Sequence, residues 1–435
     1  MTTPRDVRGF EGFPLGMDNR RRETDSFNTD PRRPELEGVL RDAVNVDISV
    51  SGNVKRRKGY TRLHAGNVHS LWSDPRWPWM YAVVDGVLTA YDCKLSPTQL
   101  CEVAPHLPVS YALLNNVVYL SNGEDSLCID EETGNVHPWG LPPLGAPIAV
   151  AVPEGGMRAG TYLVAQTQVG GTGLWHEGGS AGYAVVTLKD NEGLQVTAAT
   201  VTQGKVNIYV SPPNGDVLYH AATVSSGVTI QISPGDIGAG KQLRTYNARH
   251  PFPGTIVRAF NGRIYVASGS VLWATDPLNP YLVRPAESVL MFASPITMVQ
   301  PVLDGIYVST EREGTVFLSG SDIMEFSKVW ICASHAVRGT GTAIDAKHLF
   351  PGARGSAAVW WSSDGVLCAG GPGGQVEFKT EQRLDTPEYS AGMVGLYEHD
   401  GFSQILGVLR DEGQSNNLSA GDSVIAEVRR NGVKA

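Results

Sequence analysis

The sequence predicts an all-β protein: a β-propeller of about six blades, closed by strands from both ends of the chain and carrying an inserted β-sandwich. Three observations predict it. First, a hairpin phrase recurs. It is an apolar run, a turn of Asn or Asp with Gly or Asn, and a second apolar run usually centred on Tyr, as in residues 112–120, 257–266, 299–308 and 394–408. Asn-Gly and Asp-Gly between apolar runs are strong hairpin signals, because both turn residues take positive φ. Second, the centring aromatics keep a spacing, 38 residues from Tyr81 to Tyr119 and 42 from Tyr265 to Tyr307. A period near 40 with four short strands per unit is that of a propeller blade. Third, the 435 residues include 50 Gly and 27 Pro, and only 18% are charged, against about a quarter in ordinary domains. Dense turns and few charges read as many short strands.

Taken in order, residues 1–42 form an extended N-terminal arm. They carry Arg20, Arg21, Arg22, Arg32 and Arg33 among Gly, Pro, Asp and Asn and lack either helical or strand periodicity. Such a segment is disordered alone or ordered against a neighbouring subunit or another protein. From Ala43 the chain alternates Val44, Val46 and Ile48 with Asn45 and Asp47, turns at Ser51-Gly52-Asn53 and continues through Lys55, Arg56, Arg57 and Lys58 to Gly59-Tyr60. This is a two-stranded hairpin. Together with blades one and two it makes the first part of the propeller, 43–141. Residues 68–105 hold three apolar runs, and residues 109–140 hold four.

The period then breaks. Residues 142–248 contain alternating strands at 161–166, 184–188, 206–210, 217–220 and 228–232, separated by Gly and Pro turns. By strand count and spacing this insert resembles a fibronectin type III or immunoglobulin-like module. The second part of the propeller is 249–412. It includes units at 255–292, 296–332 and 343–384, and a final unit at 393–409 with only two strands. Those two strands and residues 43–63 would make one composite blade, which closes the ring and leaves no open edges. Residues 413–435 form a C-terminal tail.

Few residues point to chemistry. Gly235-Asp236-Ile237-Gly238-Ala239-Gly240-Lys241 matches most of a phosphate-binding loop, but Gln242 stands where Ser or Thr would hold Mg²⁺ and no helical pattern follows. A linker leaving the insert is expected there. Gly178-Gly179-Ser180-Ala181-Gly182 has the letters of a nucleophile elbow without its strand-to-helix context, so a turn is expected. The ten His and five Cys offer no zinc-ligand spacing. Asp125, Asp130, Glu131 and Glu132 lack the spacing of a Ca²⁺ loop. No catalytic residue, metal ligand or cofactor is assigned, and the nine Trp are expected to pack between blades. Net charge is −9, against broad nucleic-acid binding. The clusters Arg20–Arg22 and Lys55–Lys58, with Arg32 and Arg33, are the interaction candidates, for subunit salt links or DNA phosphates. An odd Cys count without a CxxC pair suits a reducing compartment. Neither a secretory leader nor an apolar run long enough to span a membrane is seen.

One stretch carries a family resemblance. Asn45-Val46-Asp47, Gly52 and Arg56-Arg57-Lys58-Gly59-Tyr60 form an opening that resembles tailed-bacteriophage virion proteins with propeller folds, nearest the tail nozzle or tail hub of short-tailed phages. Tyr209 and Leu218-Tyr219-His220 in the insert look phage-like too. The resemblance implies a non-enzymatic ring subunit, about six copies surrounding the channel through which genomic DNA leaves without sequence-specific binding. It also implies a portal-adaptor partner, a place in the virion tail and synthesis in the host cytoplasm. Two other readings stand beside it: a propeller-type lectin or glycosidase acting on surface polysaccharide, and a host-adhesion tail-fibre subunit.

Overall fold

The computed structural model describes residues 16–20, 39, 40, 42, 46–48, 53–56, 62, 64, 66–130, 134–170, 176–399 and 402–410. Near the N-terminus β1 (Gly16–Met17) pairs in parallel with β2 (Val39–Leu40). Next, β3 (Val46–Ile48) and β4 (Val54–Arg56) form the hairpin expected there, with Asp47 opposite Lys55. The chain divides into two compact units. One holds 66–295 and 322–325, and the other holds 1–65, 296–321 and 326–435.

In the first unit, β5 (Val68–Trp72), β6 (Met80–Val84), β7 (Val87–Tyr91) and β8 (Pro97–Glu102) form one antiparallel sheet. Three runs are legible there and four strands are present. β8 escapes the pattern because it is an outer strand, largely solvated, with no buried face to impose alternation. A second sheet holds β9 (Ser110–Leu114), β10 (Val117–Ser121), β11 (Ser126–Asp130) and β12 (Val136–Pro138). The two share a core in which Tyr81, Val83 and Leu88 meet Tyr111, Leu113, Val118 and Leu120. The hairpin turns obey their chemistry: Asp85 and Gly86, and Asn115 and Asn116, all take positive φ.

The insert follows: β13 (Ile148–Val152), β14 (Gly160–Val169), β15 (Tyr183–Leu188), β16 (Gly193–Thr197), β17 (Lys205–Val210), β18 (Tyr219–Val224) and β19 (Thr229–Ile232). Two of these, β13 and β16, add to the five strands legible in sequence. They form two sheets, ordered β13-β16-β19 and β15-β14-β17-β18. A common core of Tyr162, Val164, Leu194, Val196, Ile208 and Ile232 lies between them. The seven strands lie in two layers, and their order departs from the immunoglobulin constant arrangement, in which strands one, two, five and four share a sheet.

After the insert, β20 (Ile256–Phe260), β21 (Arg263–Ser268), β22 (Val271–Asp276), β23 (Asn279–Val283) and β24 (Val289–Met291) form a five-stranded sheet. Its residues Val257, Ile264 and Val266 pack on Ala112, Val117, Tyr119 and Trp139 of the sheet preceding the insert. The insert therefore interrupts the sequence but not the succession of sheets.

The other unit adds three sheets. These are β25 (Ile296–Val302), β26 (Gly305–Thr310), β27 (Gly314–Ser319) and β28 (Ser327–Cys332); then β29 (Thr342–Asp345), β30 (Ser356–Trp361), β31 (Leu367–Gly370) and β32 (Val376–Phe378); then the hairpin β33 (Ala391–His399) and β34 (Phe402–Arg410). Tyr307 and Phe317 meet Trp360 and Cys368, while Trp361 and Val359 meet Val394, Ile405 and Leu409. At Asp304-Gly305 the reason for glycine differs from the one expected. Gly305 does not take positive φ and begins β26; a Cβ there would lie 2.3 Å from the carbonyl oxygen of Leu318 and 2.5 Å from the Phe317 ring. Close approach, not turn geometry, requires glycine. The other expected turn, Asp400-Gly401, lies outside the described residues. β3–β4 and β33–β34 are separate two-stranded sheets; among the described residues no ladder joins them into the composite blade expected from 43–63 and 393–409.

Candidate functional site

The sequence singles out the basic clusters. Arg20, Lys55 and Arg56 are exposed, while Arg21, Arg22, Arg32, Arg33, Arg57 and Lys58 lie outside the described residues. Lys55 and Arg56 are consecutive on β4, so their side chains leave opposite faces and do not form one patch. Arg20 is tied to its own chain: its Nε donates to the carbonyl of Leu384 at 3.0 Å. Beside it Asn19 grips Asp385 through both side-chain atoms, Nδ2 donating to the carbonyl at 2.7 Å and Oδ1 accepting the amide at 2.6 Å. Met17 packs on the core that contains Trp361 and Ile405. The described part of the arm therefore docks on the turn following β32 of the same chain.

The ladder assembles a constellation that local spacing does not display. Cys128 on β11 lies directly opposite His137 on β12. Asp130, two residues along, shares that face, and its Oδ2 lies 3.0 Å from His137 Nε2. Thiol, imidazole and carboxylate are thus neighbours, as in a thiol hydrolase. The environment argues otherwise. Cys128 is fully buried beside Tyr119 and Trp139. Burial, with the Asp130 charge second, pushes its thiol up to about 12. At neutral pH the sulfur keeps its proton, whereas the nucleophile must be a thiolate. The only sequence signal for this trio is Cys-x-Asp followed by His on the next strand, and it acquires meaning only from the register.

A second polar cluster lies on the insert. Oε1 of Glu177 accepts hydrogen bonds from Thr167 Oγ1 (2.5 Å), Tyr209 OH (2.5 Å) and Asn207 Nδ2 (3.1 Å). Asn207 Oδ1 accepts from Thr223 Oγ1, which also meets His220 Nε2. The Tyr209 hydroxyl is raised above its ordinary range, first by burial and then by Glu177. This arrangement fastens residues 176–177 to β14 and β17. His176 adds to it by stacking on Tyr281, ring centroids 4.2 Å apart.

Both glycine-rich motifs resolve into connections. Ser180 is fully buried, and its Oγ donates to the carbonyl of Gly182. Its backbone lies between two parallel bridges, to Leu144 and to Tyr246. The segment 235–241 leads to an antiparallel bridge between Gln242 and Tyr219, not to a helix. Asp125 accepts from the Ala104 amide and from Asn122 Nδ2, both at 2.8 Å, and so orders a turn. Among the described residues no group of three His, Cys, Asp or Glu can hold a metal ion, and no helix is long and apolar enough to cross a membrane.

Trp139, Trp360 and Trp361 are fully buried packing residues. Trp175 is outside the described residues. Trp330, in contrast, is 63% exposed on the outer strand β28 beside exposed Val329. Other outward apolar side chains gather on β13 and β15 (Ile148, Val150, Tyr183, Val185) and on the outer face of the terminal hairpin (Met393, Tyr397, Val408). Leu278 and Met291 (both 79%), Met324 and Leu303 are also exposed, Leu278, Leu303 and Met324 on turns and Met291 at the end of β24.

No protein family and no curated protein matches the chain in sequence. Solved structures that it resembles include the WD40 domain of Neurospora crassa Pan2, with 9% identity, 80% of this chain and 88% of that chain covered, and a TM-score of 0.32. Another is virginiamycin B lyase from Staphylococcus aureus, with 9% identity, 79% and 92% covered, and a TM-score of 0.32. The computationally designed Ika8 protein is a third, with 12% identity, 79% and 93% covered, and a TM-score of 0.25. At these identities and scores the likenesses transfer no activity and no assembly to this chain.

Proposed function

We propose that the chain is a structural subunit of a bacteriophage tail, a nozzle or hub ring of about six copies around the DNA exit channel. Its sheets would then be the blades of a divergent propeller closed by the terminal hairpins, with the sandwich as a fibronectin- or immunoglobulin-like outrigger. The observation that carries this reading is the distribution of exposed apolar side chains. Several of them lie on outer strands and sheet faces, at Trp330, Met393, Tyr397, Ile148 and Val185, and others on turns, at Leu278, Leu303 and Met324, and exposed apolar surface suits protein–protein contact. The polar clusters support it, since Glu177 and Asp130 are engaged in holding strands and loops together. The phage-like opening supplies the biological class: its hairpin spans β3 and β4. A ring of identical subunits uses two different faces of each copy, and a net charge of −9 suits a wall that does not retain DNA. Portal-adaptor proteins are the partners and the virion tail is the location under this reading. Negative-stain microscopy and mass measurement of the purified full-length chain, alone and with the adaptor, test it. Closed rings of about six copies are expected; a strictly monomeric particle in both samples overturns it.

A further inference from the structure

The sandwich has two lateral margins, and they differ. At one, the outer edge of β18 is occupied by the chain's own return: Tyr219 bridges Gln242, the His220 amide donates to the Lys241 carbonyl and the Leu243 amide donates to the Leu218 carbonyl, both at 2.8 Å. β19 beside it points Thr229 and Gln231 to solvent. At the other margin β13 and β15 lie side by side, each the terminal strand of its sheet. Ile148 (69% exposed) and Val150 (45%) lie on the outer face of one sheet, and Tyr183 (43%) and Val185 (59%) on the outer face of the other. Neither strand holds a charged residue. Natural sheets blunt such edges with charges, bulges or a covering segment. On β13 only the two prolines that bracket it do so.

Those prolines also define what fits. β13 and its flanks read Pro147-Ile148-Ala149-Val150-Ala151-Val152-Pro153. Outward from Val150 the chain is alike in kind in both directions: Ala149 and Ala151, Ile148 and Val152, Pro147 and Pro153. An antiparallel partner centred on Val150 would therefore be matched by the same strand of a second copy. Ile148 would face Val152, Ala149 would face Ala151, and Val150 would face itself. Proline donates no backbone hydrogen bond, so Pro147 and Pro153 bound the ladder, and a slipped register forms fewer bonds than the one centred on Val150. Self-complementarity about a point is what a two-fold interface requires, and an uncharged edge brings no like charges into opposition.

We propose that the β13 edge is a homotypic docking site, where two copies of this chain pair antiparallel about Val150. The mounting of the insert favours this. Residues 179–181 are clasped between Leu144 and residues 245–247 by four backbone hydrogen bonds of 2.8–3.1 Å, so the margin is presented in a fixed orientation and less ordering entropy is lost on pairing.

Light scattering and sedimentation of the full chain over a concentration series test the proposal, with Val150→Lys as the perturbation. That side chain is exposed, so the variant is expected to fold, as circular dichroism and melting would verify. The wild type is expected to associate in even steps. V150K, which sets two ammonium groups against each other, is expected to weaken the pairing by about a hundredfold or more. As a second readout, Val150→Cys in a Cys93→Ser background, which removes the exposed native thiol, is expected to cross-link between copies with a short bismaleimide. A wild type that remains monomeric, association unchanged in V150K, or failure of V150C to cross-link overturns the proposal. The proposal goes beyond the ring reading and fails separately from it. Rings that persist unaltered in V150K sink only the β13 joint, whereas pairs without rings sink only the ring.

Discussion

Gly179→Ala is the sharpest test of how the insert is held. A Cβ on Gly179 would lie 1.7 Å from the carbonyl oxygen of Ala248 and 2.5 Å from its carbon. Both are backbone atoms and cannot swing aside as a side-chain end would. Gly179 does not take positive φ, so the penalty is contact alone. To reach ordinary separation the strand must move by more than 1 Å, roughly the overpacking regime that costs about 1–3 kcal/mol. The movement falls on the clasp, where the Leu144 amide donates to Gly179 (3.1 Å), Ala181 to Leu144 (2.8 Å), Ser180 to Thr245 (3.0 Å) and Asn247 to Ser180 (2.8 Å). Losing two of these adds about 1–3 kcal/mol at the usual net worth of a hydrogen bond. The entropy advantage of alanine in the unfolded chain returns only about 0.4–1 kcal/mol. A net local loss of about 1–5 kcal/mol is expected. Amide hydrogen exchange reads it directly: the amides of Ala181 and Asn247 should exchange roughly 5- to 5000-fold faster, while those of β26 and β30 keep their protection. Gly235→Ala is the control, because nothing lies within 4 Å of a Cβ there. Unchanged exchange at the clasp in G179A would refute the account of a tightly mounted insert.

Other perturbations have equally definite outcomes. Thiol labelling of the native chain should modify exposed Cys93 first and leave buried Cys128 and Cys368 until denaturation; early modification of Cys128 would contradict its burial. The raised thiol also gives a pH dependence. The unfolded chain releases the proton near the ordinary value of 9.0, while the folded chain holds it to about 12. This contribution to stability is complete below pH 9 and is lost as pH rises towards 12, a decline that urea midpoints across the alkaline range would follow. Glu177→Gln replaces an acceptor of three hydrogen bonds by a group with its own donors, and should lower stability by about 1–3 kcal/mol. Its combination with Tyr209→Phe should be less than additive in denaturant melts, because the two side chains share a bond. Trp361→Ala removes a fully buried indole from the core shared with Val394 and Ile405. It is expected to cost about 3–5 kcal/mol, with loss of protection centred on β33 and β34.

Local chemistry by itself determined the hairpins β9–β10 and β20–β21 and the two-stranded final unit. Apolar alternation marks a strand wherever one face is buried, and Asp85-Gly86, Asn115-Asn116 and Asn261-Gly262 mark turns because few other pairs accept positive φ. The same logic is silent where burial imposes no pattern, so the solvated outer strand β8 escaped it. It also misassigned the reason for Gly305, whose neighbours Leu318 and Phe317 come from the next strand. Tertiary structure alone decided the rest. Register set Cys128 against His137, and burial then kept the thiol protonated. The fold returned Asn19 and Arg20 to the turn at 384–385, where sequence left the arm's partner open. It also put Lys55 and Arg56 on opposite faces, dividing a run that reads as one cluster. Each of these depends on which distant backbone lies alongside, and a linear pattern holds no record of that.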